Sequence, residues 1–203
     1  MAKRQIETYR ITRREQIEAL ASPVRLEILA AARITGLCSI GSLARFLGRA
    51  PDSLYYHIRK LVSVGLLLEA GKRSTTRRHE SLYLTAGRRF RMPFASGDTQ
   101  LVEARLRTFT ALLRLTDRDH RRAIRSGLAV FSGPARNIRN ARVKGWLSTE
   151  ELREIHEHIS QVVEVFEREK TPPQRGKRKL FAVTMYLTPM APSKRTSAKP
   201  KAG

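Results

Sequence analysis

The stretch PDSLYYHIRKLVSVGLL, residues 51–67, carries a clear helical pattern. It begins with a proline, which suits the first position of a helix, and apolar residues then recur at Leu54, Ile58 and Leu61 before a stop at Gly65. At about 100° per residue these apolar side chains share one stripe, and the opposite face is polar. The stretch therefore predicts an amphipathic helix that packs on a core through one face and keeps the other at the surface.

Two further helical patterns precede this stretch. Ser22 and Pro23 form an N-cap and a first helical position, and apolar spacing continues from there to Gly36. Ser39 caps a second pattern, which ends at Gly48, a few residues before the next helix begins. Two helices joined by so short a turn are typical of a helix-turn-helix.

A basic β-hairpin is predicted directly after these helices. Two apolar runs, residues 66–69 and 81–85, flank a polar loop that opens at Gly71. The basic side chains of the loop are Lys72, Arg73, Arg77 and Arg78. Such groups suit DNA phosphates or a narrow minor groove, so a hairpin in this position is interpreted as a wing.

The whole chain is strongly basic. Its 203 residues include 40 Lys and Arg against 18 Asp and Glu, a formal net charge of +22, and both halves of the chain share the excess. A polyanionic partner is therefore expected. Because 41% of the residues are apolar and recur at regular spacing, we expect a folded basic protein and not a disordered polycation.

The polar face of the residue 51–67 helix is the surface best suited to that partner. It offers donors, cations and planar rings but no apolar stripe. The side chains on this face and its flanks are Asp52, Ser53, Tyr55, Tyr56, Arg59, Lys60 and Ser63. The net charge and the neighbouring helix favour contact with nucleic acid over a merely solvated surface.

Two segments resemble the ArsR-type winged helix-turn-helix repressors. They are ASPVRLEIL, residues 21–29, and HIRKLVSVGLL, residues 57–67. In that family, similar segments open the second helix and close the recognition helix. The resemblance covers about residues 12–86.

The resemblance implies a homodimeric repressor whose recognition helices enter successive major grooves of double-stranded DNA, with the wings on the backbone or the minor groove. The residues that it places at DNA are Ser53, Tyr55, Tyr56 and His57, with Arg59 and Lys60 suited to phosphates. The Tyr55-Tyr56 pair departs from the small polar residues usual there, so base preference is expected to differ. His57 lies beside the apolar stripe, which leaves a packing role and a DNA contact both open.

Many members of that family sense metals, but this sequence does not assemble their ligands. Cys38 is the only cysteine, so no thiolate pair forms; a structural thiol is favoured over a redox sensor. His156 and His158 diverge on their helix and cannot share one ion. Neither a metal nor a cofactor is therefore predicted. The lone cysteine and the lack of a secretion or membrane-spanning pattern predict a cytoplasmic protein with no membrane contact.

No catalytic motif is found either. Gly71-Lys72 is followed by Arg73, where a phosphate-binding loop needs a hydroxyl residue, and neither a nucleophile elbow nor a dinucleotide fingerprint occurs. We therefore expect no enzyme and no catalytic residues.

Residues 99–115 predict a helix whose apolar stripe makes it the candidate dimer or interdomain helix. The stripe consists of Val102, Leu106, Phe109 and Leu113. Thr116, with Asp119 three residues later, predicts a capping box that opens a separate short basic helix ending at Gly127.

A second capping box, Ser148 with Glu151, predicts an acidic helix over residues 149–170. Alternating or apolar runs predict strands at residues 128–131, 142–147 and 180–188. Trp146 is expected to anchor a core. This small module leaves three roles open: binding of a small-molecule effector, stabilisation of a dimer, or completion of the fold.

These patterns predict an α+β chain with a winged helix-turn-helix over residues 10–90, a dimerisation or effector module over 98–189, and a disordered basic tail over 190–203. The function they favour is a sequence-specific transcriptional regulator, a homodimeric repressor. The alternative is a non-sequence-specific architectural or RNA-associated basic protein that uses the same surface, because phosphate neutralisation supplies affinity in both.

Overall fold

The computed structural model describes residues 5–74, 79–93, 98–168 and 179–191. The chain divides into two compact units, Met1–Arg142 and Val143–Gly203. Two residues of the predicted wing, Arg77 and Arg78, lie outside the described residues, as do residues 192–203 of the predicted tail.

The first unit is a mixture of helices and short strands. Its elements are, in order, β1 (Ile6–Arg10), α1 (Arg14–Leu20), α2 (Pro23–Thr35), β2 (Cys38–Ser39), α3 (Ile40–Leu47), α4 (Asp52–Ser63), β3 (Leu67–Ser74), β4 (His79–Thr85), β5 (Gly87–Arg91) and α5 (Thr99–Arg125). This order confirms the predicted α+β class, with a helix-turn-helix and a hairpin wing at the N-terminal side.

The helix boundaries follow the predicted caps. Helix α2 begins at Pro23, although the Ser22 hydroxyl makes no cap hydrogen bond. The Ser39 hydroxyl accepts a hydrogen bond from the Ser42 N–H at 3.3 Å and so caps α3. Helix α3 ends at Gly48, whose φ of 63° lies in the left-handed region that favours glycine.

The core lies among α1–α4 and the start of the hairpin. Its largest fully buried apolar side chains are Ile17, Ile28, Leu43, Leu54, Ile58, Leu61, Leu66 and Leu67. The predicted apolar stripe of α4 is therefore buried. Burying each such side chain stabilises the fold by about 1.5–3 kcal/mol, so the stripe fixes which face of α4 points outward.

Two small sheets flank the helices. Strands β3 and β4 form the predicted antiparallel hairpin, and β2 extends it to the order β2-β4-β3. The hairpin register shifts between Glu69 and Gly71, where Gly71 has a φ of 145°. Strands β1 and β5 pair in parallel, a sheet that the sequence patterns did not predict.

Helix α5 corrects one prediction. It runs unbroken from Thr99 to Arg125, so the separate helix opening at Thr116 is wrong. The Thr116 hydroxyl donates instead to the Leu112 carbonyl at 2.9 Å, a bond made inside a continuing helix. Helix α5 packs on α1, where the Thr108 hydroxyl donates to the Ile17 carbonyl at 2.9 Å, and so lies in the same unit as the helix-turn-helix.

The second unit contains α6 (Thr149–Glu167), which opens at the predicted capping box. The Ser148 hydroxyl accepts from the Glu151 N–H at 3.1 Å, and the Glu151 carboxylate accepts from the Ser148 N–H at 2.8 Å.

The strands predicted at residues 128–131, 142–147 and 180–188 are wrong, since these residues form neither strand nor helix. Trp146 is 90% exposed and anchors no core.

The three predicted strands do not form because an alternating pattern makes a strand only when a second strand supplies its hydrogen bonds. No strand of the described residues pairs with these segments.

In the part of the chain that the structure describes, no helix combines the length and the apolar character needed to cross a membrane.

Candidate nucleic-acid interface

Helix α4 presents its predicted polar face at the surface. The exposed side chains are Asp52, Ser53, Tyr55, Tyr56, Arg59, Lys60 and Ser63. Tyr56, near the middle of the helix, is 70% exposed. A helix of 12 residues is about 18 Å long, so this face offers a continuous polar surface to a macromolecule.

The two serines of this face use their hydroxyl protons within the protein. The Ser53 hydroxyl donates to the Ala50 carbonyl at 2.7 Å, and the Ser63 hydroxyl donates to the Lys60 carbonyl at 2.9 Å. Phosphate oxygens only accept hydrogen bonds, so in this arrangement the donors come from the phenols and the cations. Those donors are Tyr55, Tyr56, Arg59 and Lys60.

The C-terminal end of α4 is held by α1. The Val64 carbonyl accepts hydrogen bonds from Arg13 Nη2 at 2.6 Å and from Gln16 Nε2 at 3.0 Å. Gln16 is buried and also donates to the Tyr9 hydroxyl at 2.7 Å. These bonds satisfy a helix-terminal carbonyl and fix the direction in which α4 leaves the core.

The turn that leads into α4 is held by one carboxylate. Glu27 of α2 accepts hydrogen bonds from Arg49 Nη2 at 3.0 Å and from Arg118 Nη2 at 2.5 Å. Arg49 lies in the α3–α4 turn and Arg118 on α5, so Glu27 joins α2, the turn and α5. No sequence pattern predicts this cluster, because the three residues lie far apart along the chain.

His57 is half-buried at the edge of the exposed face. Burial lowers the pKa of His57, and the positive charges of Arg25 and Arg49 lower it further. Its Nδ1 atom is buried and has no hydrogen-bond partner in the described part of the chain. Its ring meets that of Tyr56 edge to face, with centroids 5.4 Å apart. The His57 ring therefore packs directly against the ring of Tyr56.

The base of the hairpin lies beside α4. Burial raises the pKa of Tyr83 on β4, and Tyr55 and Arg59 of α4 are close enough to act on it electrostatically. Lys72 and Arg73 are exposed on β3, and Arg73 pairs with Glu80 at 2.9 Å, which offsets part of the basic charge of the wing. The α4 face and the hairpin therefore form adjacent parts of one surface.

Among the described residues, no three His, Cys, Asp or Glu side chains lie together in a group that could hold a metal ion. Cys38 is buried, its thiol contacts the Tyr83 carbonyl at 3.7 Å, and burial raises its pKa, so it stays protonated.

A family model described as a helix-turn-helix domain matches residues 20–70. Comparison with curated proteins gives no match. The matched segment contains the whole of α2, α3 and α4, and the hairpin wing begins within it. Residues 20–70 therefore form a helix-turn-helix domain extended by a wing, which supports a DNA-binding regulator as the function of the chain.

Proposed function

We propose that the protein is a sequence-specific transcriptional regulator of the ArsR-like type, acting in the cytoplasm as a homodimeric repressor. Helix α4 enters the major groove of double-stranded DNA, with Tyr55 and Tyr56 toward base edges or phosphates. Arg59 and Lys60 contact phosphates, and the basic wing reaches the backbone or the minor groove.

The observation that carries this proposal is the orientation of α4. Its apolar stripe is buried, both of its ends are tied to neighbouring helices, and its donor-rich face is left exposed. A recognition helix needs this combination, because base contacts require a rigid helix whose outward face holds donors and planar groups.

The dimer is supported by α5. Val102, Leu106 and Leu113 of its apolar stripe are exposed, at 42%, 51% and 52%. The face of α5 that is buried against the rest of the unit is a different one, formed by Leu101, Ala104, Arg105, Thr108 and Ala111. A large apolar stripe on a 27-residue helix suits a partner helix, and a second copy of the chain would supply an identical one.

Competition between duplexes tests whether DNA is the partner. A fluorescent DNA duplex of about 30 base pairs is bound at about 0.15 M salt and displaced by unlabelled DNA or RNA duplex of the same sequence. We expect DNA to compete more effectively, because the major groove of B-form DNA admits an α-helix and that of A-form RNA does not. Equal competition by both duplexes would favour the alternative, a basic protein that coats nucleic acids without base selectivity.

A further inference from the structure

The basic end of α5, defined here as Arg118, Arg122 and Arg125, lies on one face of that helix. At about 100° per residue, Arg122 and Arg125 fall within about 40° of Arg118. Arg118 faces the helix-turn-helix, since it is paired with Glu27. Arg122 and Arg125 therefore lie on the side of α5 that faces the helix-turn-helix, beyond the Glu27 contact.

Arg122 reaches the turn that precedes the recognition helix. Its Nη2 atom lies 3.9 Å from the position that a Cβ on Gly48 would occupy. Gly48 is the exposed residue that ends α3, and α4 begins four residues later at Asp52. The guanidinium group thus lies near the N-terminal end of α4, whereas the wing follows the C-terminal end.

Three of the acids in this neighbourhood are already engaged, whereas Asp52, the first residue of α4, is exposed and pairs with no cation among the described residues. Glu27 holds both Arg49 and Arg118, Asp119 also pairs with Arg118 at 2.9 Å, and Asp117 pairs with Arg121 at 2.8 Å. The guanidinium groups of Arg122 and Arg125 are exposed and have no ion-pair partner within the described ranges. Arg122 therefore lies beside the turn without an ion-pair partner, and Arg125 follows it on the same face of α5.

We propose that Arg122 and Arg125 form a second phosphate-binding element, which grips the DNA backbone at the N-terminal end of α4. This inference rests on the proposed function, because it assumes that α4 lies in a major groove. Phosphates border that groove on both sides. With cations beside its N-terminal end and in the wing, α4 is then held on the DNA at both ends. The Glu27 ion pairs fix the position of the α5 arginines relative to α4.

The test is the salt dependence of binding to a labelled mixed-sequence DNA duplex of about 30 base pairs, measured by fluorescence anisotropy. The double variant Arg122→Ala/Arg125→Ala should lower the slope of log K against log salt by about 1.8, since each lost phosphate contact removes about 0.9. The variant Arg122→Lys/Arg125→Lys, which keeps both charges, should restore most of the slope.

The matched control is Arg153→Ala/Arg168→Ala, which removes the same charge from two exposed arginines at α6. It should leave the slope unchanged. Equal slopes for the wild type and the α5 variant, or the same small loss in the α5 variant and the control, would overturn the inference.

One further double variant, Arg59→Ala/Lys60→Ala, distinguishes failure of this inference from failure of the proposed function. If Arg59→Ala/Lys60→Ala lowers the slope and the α5 variant does not, α4 still binds DNA and only the α5 contact is wrong. If the wild type binds no DNA duplex at all, the proposed function and the inference fail together. Far-UV circular dichroism should be the same for every variant, because all six arginine and lysine side chains are exposed.

Discussion

Arg118 of α5 and Glu27 of α2 form a two-pronged ion pair, with Nη2 2.5 Å from Oε1 and Nη1 3.1 Å from Oε2. Arg49 of the α3–α4 turn shares the same carboxylate. The Glu27 side chain is only 16% exposed, so its charge is partly removed from water and is compensated by two guanidinium groups. One acid therefore sets the distance between the turn, α2 and α5.

Replacing that acid should destabilise the first unit. Glu27→Gln removes the charge and leaves two half-buried cations facing each other, so the free energy of unfolding should fall by about 1–3 kcal/mol. Urea denaturation followed by circular dichroism measures the change. The control is Glu15→Gln, whose partner Arg13 lies at 2.6 Å but is about half exposed, and it should cost less than about 0.5 kcal/mol. Equal losses in free energy of unfolding would show that the Glu27 ion pairs stabilise the first unit no more than the exposed Glu15 pair does.

Tyr56 should contribute to sequence preference. Because its ring is exposed at the middle of α4, Tyr56→Ala should reduce discrimination between a selected and a shuffled duplex by about 1–3 kcal/mol if it contacts a base. Tyr56→Phe keeps the ring and removes the hydroxyl, so it separates stacking from hydrogen bonding. Binding constants on both duplexes give the comparison. Equal weakening on both would place Tyr56 at a phosphate instead of a base.

His57 should make stability depend on pH. Burial, with Arg25 and Arg49, sets its folded pKa below the value in the unfolded chain, so the folded state binds fewer protons. The free energy of unfolding should therefore be constant well above the unfolded pKa of about 6.5 and fall as the pH drops through it. Denaturation of the wild type and of His57→Asn between about pH 7.5 and 5.5 tests this expectation. A decline of the same steepness in both proteins would exclude His57 as its source.

Gly87 should resist substitution. A Cβ at this position of β5 would lie 2.6 Å from the Cβ of Tyr9 on the paired strand and 2.8 Å from the Arg89 carbonyl oxygen. Gly87→Ala should therefore push β1 and β5 apart and lower the free energy of unfolding by about 1–3 kcal/mol. Gly145→Ala is the control, since a Cβ there meets nothing within 4 Å. Thermal melts that shift equally for both variants would contradict the close approach of the two strands.

The helices of the DNA-binding region could be predicted because their signals are local. Pro23, Ser39 and Gly48 begin or end helices at the positions that their backbone preferences suggest. The hairpin follows from two apolar runs around a glycine-led loop. The exposed face of α4 follows from the spacing of Leu54, Ile58 and Leu61, which fixes the buried face.

The features that sequence patterns missed depend on distant partners. Strand β5 carries Arg88, Arg89 and Arg91, and only its pairing with β1, about 80 residues earlier, makes it a strand. Helix α5 passes through Thr116 because that hydroxyl bonds to the preceding turn, an arrangement that the pattern of a capping box cannot distinguish. The Glu27 cluster joins residues about 20 and 90 positions apart along the chain, so no short motif announces it.

Selection of binders from a randomised DNA duplex pool at about 0.15 M salt shows whether the protein reads DNA sequence as a dimer, because non-specific affinity is weak at that salt concentration. We expect an inverted repeat whose half-sites are about one helical turn apart, the spacing that two recognition helices related by a two-fold axis require. Enrichment of duplexes without a consensus would contradict a dimeric sequence reader and identify a protein that binds the DNA backbone alone.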